Sequence, residues 1–381
     1  MNRMLARQWS RGAVGVALVG TVLTGAGAVV PGDTAAAAPA CTLAGQVATW
    51  PVRRLAEQTV VVPVEETHVG RVADEVSAGA GGVILFGSSA PADLAGSLAT
   101  LTGKAPHGIA PLVMTDEEGG AVQRMPNLVG SMPSARTMGA TMTPRRIRSL
   151  AHTVGARMRH AGVTMNLAPV LDLDNGPGPD RNHPIGTRSF SLRVRTATAD
   201  GLAFARGMRA AGVVPVVKHF PGLGQATGNT DVEPASTKPW SYLRKHGLRP
   251  FVSAIGAGLP AVMVSNARVP GLTRMPASLS RTAIHQELRT RLGFHGLVLT
   301  DSLSAGAISG AGFRVPAASV RALDAGADMV LFSADRRAVA ARTRQVVHAI
   351  VGAVGAGHLS RGRLEAAAVH VLRAKHVDLC S

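Results

Sequence analysis

The sequence predicts an α/β protein, a single (β/α)8 barrel of the TIM type, and three observations predict it. Eight short apolar runs, mostly β-branched, recur along the chain, each separated from the next by a stretch of helical composition. The runs do not alternate apolar with polar residues, which is the pattern of strands buried on both faces in a parallel sheet covered by helices. Ionisable residues stand just past several of the runs, and a barrel of this class carries its chemistry at the C-terminal ends of its strands. An open doubly wound sheet is the competing architecture, but no G-x-G-x-x-G follows an early strand to mark a dinucleotide site.

The strand runs are, in order, Val60–Pro63, Gly82–Phe86, Leu112–Thr115, Met165–Ala168, Val213–Val217, Ala261–Val264, Leu297–Thr300 and Met329–Phe332. Each ends in a polar or glycine-containing turn. Stretches rich in Ala, Leu and Arg follow and predict helices over Glu66–Ala78, Pro144–His160, Val194–Ala211, Leu279–Leu292 and Val315–Ala325. Two more, Arg336–Val351 and Leu359–His376, follow the eighth run.

Composition bounds the function. With 381 residues, 46% hydrophobic and 17% charged, the chain is long enough for one large core and too apolar to be disordered. The formal charge of +17 raises the question of a nucleic-acid partner. The basic residues are spread from Arg3 to Arg373, and 3% aromatic content leaves few platforms for stacking bases, so nucleic acid is disfavoured and an anionic cell envelope is the better match.

Residues 1–40 read as an export signal. Arg3, Arg7 and Arg11 precede an apolar run from Gly12 to Val30, and a small-residue stretch ends in Ala38-Pro39-Ala40, the form signal peptidase prefers. Cleavage there leaves a mature domain, 41–381, that is secreted or wall-associated, with no stable membrane insertion. The apolar run is also just long enough for an uncleaved anchor. Lipid modification of Cys41 is less favoured, because Ala38-Pro39-Ala40 lacks the leucine of a lipobox. The only other cysteine, Cys380, brackets the domain at its far end. In an oxidising compartment the two predict a disulfide, which a closed barrel permits because its first and last elements are neighbours.

Asp116 follows the third run, Asp172 the fourth, Lys218-His219 the fifth, Ser265-Asn266 the sixth and Asp301 the seventh. Polarity begins at the end of any strand, but acids and a Lys-His pair recurring at several ends point to chemistry. No two His, Asp or Glu residues have metal-ligand spacing, so neither a metal nor another cofactor is expected.

The words around these residues are more specific. Asp116-Glu117-Glu118-Gly119-Gly120-Ala121-Val122-Gln123-Arg124, Asn166-Leu167-Ala168-Pro169-Val170-Leu171-Asp172, Arg188-Ser189-Phe190, Lys218-His219-Phe220-Pro221-Gly222-Leu223-Gly224 and Leu299-Thr300-Asp301-Ser302 occur in that order. Together they resemble glycoside hydrolase family 3, in particular its single-domain β-N-acetylglucosaminidase (NagZ-like) branch, over about Leu55 to Leu372. The resemblance implies a retaining hydrolase of β-linked N-acetylhexosamines. Asp301 matches the nucleophile that forms a covalent glycosyl-enzyme, and Lys218 with nearby arginines would favour its charged form. Capping of the following helix is the structural alternative for Asp301. Asp116, Arg124, Arg188, Lys218 and His219 match positions that bind sugar hydroxyls.

The departures from the family pattern are as informative. Where the branch carries D-x-H, its acid/base dyad, this chain has Asn229-Thr230-Asp231, and Leu223 replaces the histidine of K-H-F-P-G-H-G. One reading makes Asp231 the acid/base, with its pKa raised by burial or by Asp301 and with Asn229 hydrogen-bonded to it as a neutral neighbour. The other makes the chain a sugar-binding protein of little or no activity, and a purely structural turn over Gly228–Asp231 is the blandest account. An anionic Asp231 would repel phosphate, which disfavours phosphorolysis. Ala121 and Asn266 also depart from the pattern, with effects expected on affinity or aglycone choice. The scarcity of Trp and Tyr favours a short GlcNAc-containing saccharide in a pocket, with Trp240 and Tyr242 as a conceivable lip.

Overall fold

The computed structural model describes residues Cys41–Cys380; the predicted export signal lies outside the described residues. Eight parallel strands form one sheet: β1 (Val60–Glu65), β2 (Gly82–Phe86), β3 (Leu112–Thr115), β4 (Met165–Asn166), β5 (Val214–Phe220), β6 (Ala261–Val264), β7 (Leu297–Thr300) and β8 (Val330–Leu331). The sheet closes on itself. On one side Val60 and Val61 of β1 pair with Val330 and Leu331 of β8, and on the other Leu299 of β7 bridges Met329, the residue before β8. The predicted (β/α)8 barrel is therefore the observed architecture.

Alternate residues of the strands point inward. Val61, Ile84, Met114, Met165, Val216, Met263, Leu299 and Leu331 fill the barrel, while the other side of each strand packs into a larger shell beneath the helices. Four of the eight strand runs have the predicted bounds. Strand β4 is shorter than predicted, ending at Asn166, although the Leu167 amide still donates to Thr115 and the Ala168 carbonyl accepts from Val216. Strand β5 runs on to Phe220, so Lys218 and His219 lie inside the strand and project from its last turns rather than from a loop.

Helices α1 (Pro144–His160), α2 (Val194–Ala210), α3 (Arg249–Gly256), α4 (Val315–Ala325), α5 (Val339–Gly355) and α6 (Arg361–Ala374) line the outside. Thr143 caps α1 by accepting from the Arg146 amide, with Pro144 at the first helical position, where it forfeits no hydrogen bond. The predicted helix over Glu66–Ala78 divides into a 3-10 segment, Glu66–Val72, and a short α-helix, Ala73–Ala78. That over Leu279–Leu292 is a π-helix, Thr282–Arg291, behind a single 3-10 turn.

At the floor of the barrel Asp328 is fully buried and accepts hydrogen bonds from Arg289, Arg363, His370 and the Val298 amide. Burial alone would raise its pKa, but Arg289, His370 and Arg363 overcome that and hold it well below the usual carboxylate range. The first and last described residues lie side by side. Arg361 of α6 donates to the carbonyls of Ala48 and Trp50, and Cys41 is joined to Cys380 by a disulfide with Cα atoms 5.7 Å apart. The bridge closes a loop of 339 residues. Its entropic contribution falls near the upper end of the usual range, so Cys41→Ser/Cys380→Ser should lower unfolding stability by about 3–5 kcal/mol in urea titrations.

Candidate active site

A cavity of about 440 Å³ opens at the C-terminal ends of the strands, and its wall contains Asp116, Arg124, Arg188, Lys218, His219, Asn229, Asp231 and Asp301. Every catalytic and sugar-binding residue singled out from the sequence is therefore in one place, although the positions run from Asp116 to Asp301.

The β3 end is built by alternation. Asp116 and Glu118 face the cavity, while Glu117 between them is fully buried and turns back. Glu117 accepts from the Arg124 and Met125 amides and from Gln123, which holds the hairpin of Glu117–Gly119 and Val122–Gln123 over the cavity. Gly119 is required at its turn: its φ is +98°, and a Cβ there would sit 2.3 Å from the Pro133 carbonyl.

Glu118 is the hub of the cationic side. Arg188 forks onto both its oxygens at 2.8 Å, and Lys218 Nζ reaches Glu118 at 2.7 Å and Asp116 at 2.6 Å. Burial would raise the Glu118 carboxyl, yet Arg188 and Lys218 hold it well below the usual range. Burial likewise opposes the charge on Lys218, and Asp116 and Glu118 more than restore it. The direct contacts of Lys218 thus go to Asp116 and Glu118. Arg124 is different: its Nε is buried without a hydrogen-bond partner, and its guanidinium lies 6.0 Å from the Phe86 ring centroid.

His219 is oriented from behind. Asp172, completely buried, stands 2.7 Å from His219 Nδ1 and also accepts from the His219 and Leu223 amides. A carboxylate can only accept, so Nδ1 carries its proton toward Asp172 and Nε2 is the nitrogen left for the cavity.

Asp231 lies on the loop after β5. Asn229 Oδ1 accepts from the Asp231 amide at 3.0 Å, an Asx turn, so the expected bond from Asn229 to the Asp231 carboxyl is replaced by one to its backbone. The loop then docks on the segment that follows the β7 end. The Gly306 amide donates to the Asp231 carbonyl at 2.8 Å and the Ala307 amide to that of Thr230 at 3.0 Å. On the outer side Arg181 and Glu233 form an ion pair at 3.0 Å. Asp231 is exposed to the cavity, and partial desolvation by the atoms around it first, then the negative charge of Asp301, raises its pKa above its ordinary value.

Asp301 does not cap a helix, for the next one begins only at Gly306; its Oδ1 accepts from the Ser302 amide at 2.7 Å. Three further residues lie away from the cavity wall. Asn266 is buried outside the cavity wall and props the Ser302 carbonyl at 2.7 Å, so its effect on a ligand passes through the Asp301 turn. Trp240 is buried beside Arg291 and Tyr242 stacks on His246, and neither reaches the cavity as a lip.

Gly306 is the tightest point of the loop's docking, because a Cβ there would lie 2.2 Å from the Val232 carbonyl carbon. Gly306→Ala should displace Asp231 while leaving Asp301 in place. The expected outcome is a loss on the order of 10²-fold in cleavage of an unactivated glycoside, with little change for one bearing a good leaving group.

With the geometry in view, comparison with known proteins decides the family. The model of the glycosyl hydrolase family 3 N-terminal domain matches residues 59–374.

This chain belongs to glycoside hydrolase family 3.

The β-hexosaminidase LpqI of Mycobacterium tuberculosis is 38% identical over 270 residues, covering 69% of this chain and 67% of that protein. The crystal structure of a family 3 glycosyl hydrolase from Mycobacterium smegmatis superimposes with a TM-score of 0.78 at 36% identity, over 88% of this chain and 98% of that one. A β-N-acetylhexosaminidase structure from Beutenbergia cavernae gives 0.78 at 33% identity, over 87% and 100%. At the level of family, this chain is a glycoside hydrolase of the β-N-acetylhexosaminidase type. Sequence reasoning left Glu118 and Asp172 without roles. The spacing of Asp116 and Glu118, two apart on an extended segment, was the signal for the first; nothing short of the fold pairs Asp172 with His219.

Proposed function

We propose that this protein is an exported, retaining β-N-acetylhexosaminidase that removes terminal β-linked N-acetylglucosamine from short cell-wall or chitin-type saccharides. Asp301 is the nucleophile and Asp231 the acid/base. The observation that carries this reading is the pair itself: two carboxyls in one cavity, one of them biased toward its protonated form by partial desolvation and by the other's charge. Asp301 attacks the anomeric carbon as Asp231 gives its proton to the leaving oxygen. Asp231 then takes a proton from the water that cleaves the glycosyl ester, so the β-configuration is retained.

The remaining residues hold the sugar. Asp116, Glu118, Arg188 and Lys218 form a fixed charged lattice on which hydroxyls can dock, the Arg124 Nε is an unspent donor, and His219 presents Nε2. Asn229 shapes the loop and borders the cavity. Export is supported by the leader pattern and by a disulfide that persists only in an oxidising compartment. Among the described residues no helix is long and apolar enough to cross a membrane.

The test is to follow hydrolysis of N,N′-diacetylchitobiose by NMR at early times. Release of N-acetylglucosamine first as the β-anomer supports the proposal, and release first as the α-anomer contradicts it. Binding of the disaccharide without any release would establish the alternative reading of a sugar-binding protein.

A further inference from the structure

The charge that looks evenly spread along the sequence is one-sided in the fold. Between Glu118 and Glu287 the acidic residues are Asp172, Asp174, Asp180, Asp200, Asp231 and Glu233. Asp200 is buried inside α2, and the other five belong to loops at the C-terminal strand ends. Helices α1, α2 and α3 pack side by side over this part of the barrel, so their outer faces carry no acid at all. They carry exposed arginines instead, among them Arg145, Arg148 and Arg159 on α1, Arg195 and Arg206 on α2, and Arg249 on α3. None of these six pairs with an acidic side chain among the described residues. Exposed acids such as Asp74 and Asp335 belong to the units of β1 and β8, away from this flank, and Asp93 belongs to the β2 unit that borders it.

We propose that the flank formed by α1, α2 and α3 is a binding surface for an anionic polysaccharide. Arg145 and Arg148 stand one helical turn apart, and α2 adds a second row beside them, which matches repeated anionic groups along a polymer rather than a single ion. The face does not fit the other polyanions as well. It has no exposed Phe, Tyr or Trp on which unpaired bases could stack. Its exposed large apolar residues are Leu192 and Val252, too few to insert into a bilayer. The flank lies along the barrel wall and the cavity opens at the strand ends, so a polymer held here leaves the cavity free. This inference concerns adhesion and does not depend on which residues perform hydrolysis.

The experiment compares the full chain with two variants of equal charge. Arg145→Gln/Arg148→Gln/Arg206→Gln lies on the flank, and Arg337→Gln/Arg344→Gln/Arg373→Gln removes exposed arginines from the opposite side. Affinity is measured for polygalacturonate, neutral dextran, phosphatidylglycerol vesicles and duplex DNA at low and high salt. The expected result is salt-sensitive binding of polygalacturonate and not of dextran, weakened about tenfold or more by the flank substitutions and little by the others. Cleavage of a small soluble glycoside should be the same in all three proteins. Equal weakening by both variants would reduce the effect to net charge and overturn the assignment of a face. Tighter binding of DNA or of vesicles than of polygalacturonate would overturn the assignment of the polymer.

Discussion

Asp301→Asn is expected to abolish turnover of every β-N-acetylglucosaminide, activated or not, by on the order of 10⁴-fold or more. The amide is nearly isosteric but cannot supply the attacking electron pair, so no glycosyl-enzyme forms whatever the leaving group. The side chain bonds the Ser302 amide through one oxygen, a contact that asparagine can keep, so folding and sugar affinity should be preserved. Steady-state kinetics on a nitrophenyl glycoside and a disaccharide, with ligand binding by calorimetry, check both halves. The substitution has a second consequence. Part of the rise in the Asp231 pKa comes from the negative charge of Asp301, so neutralising that charge should let Asp231 fall back toward its ordinary value.

Asp231→Asn should separate substrates by their leaving groups. A disaccharide, whose departing alkoxide needs a proton, should lose about 10²–10⁴-fold in kcat/KM. A nitrophenyl glycoside needs little protonation, so its kcat/KM should be nearly unchanged, while kcat falls because the attacking water has lost its base. The pH dependence follows the direction of the shift. Disaccharide cleavage requires Asp231 protonated, so wild-type kcat/KM should decline as pH rises through the raised Asp231 pKa, and this alkaline limb should be absent from the variant.

Much of this was legible in the chain because strands buried on both faces leave apolar runs, and the barrel fixes where their ends must gather. Strand β3, β6 and β7 could be bounded to the residue, as their turns begin with a polar side chain. The end of β5 was not, since Lys218 and His219 read as loop although they are buried within the strand. The carboxylates of the site show the same division. Asp116 and Asp301 were found from position alone, but the partners of Lys218 depend on the registers of β3 and β5 on the intervening β4, which no local pattern contains. The Asn229 contact was misassigned because the short reach of an Asx side chain favours a nearby backbone amide over a neighbour's carboxyl. Charge was the least legible property. Arginines scattered along the sequence become a continuous flank only when α1, α2 and α3 are laid side by side.

The central claim is that Asp231 is the acid/base in place of a histidine, and adding azide to Asp231→Asn tests it most directly. Azide is anionic and attacks a glycosyl-enzyme without help from a base, so it bypasses the step that the variant performs poorly. The account predicts that azide accelerates nitrophenol release at saturating substrate and that the product, identified by NMR, is the β-configured glycosyl azide. If Asp231→Asn instead cleaves both the nitrophenyl glycoside and the disaccharide at wild-type rates, with no response to azide and no glycosyl azide formed, the acid/base is another group and the account is wrong.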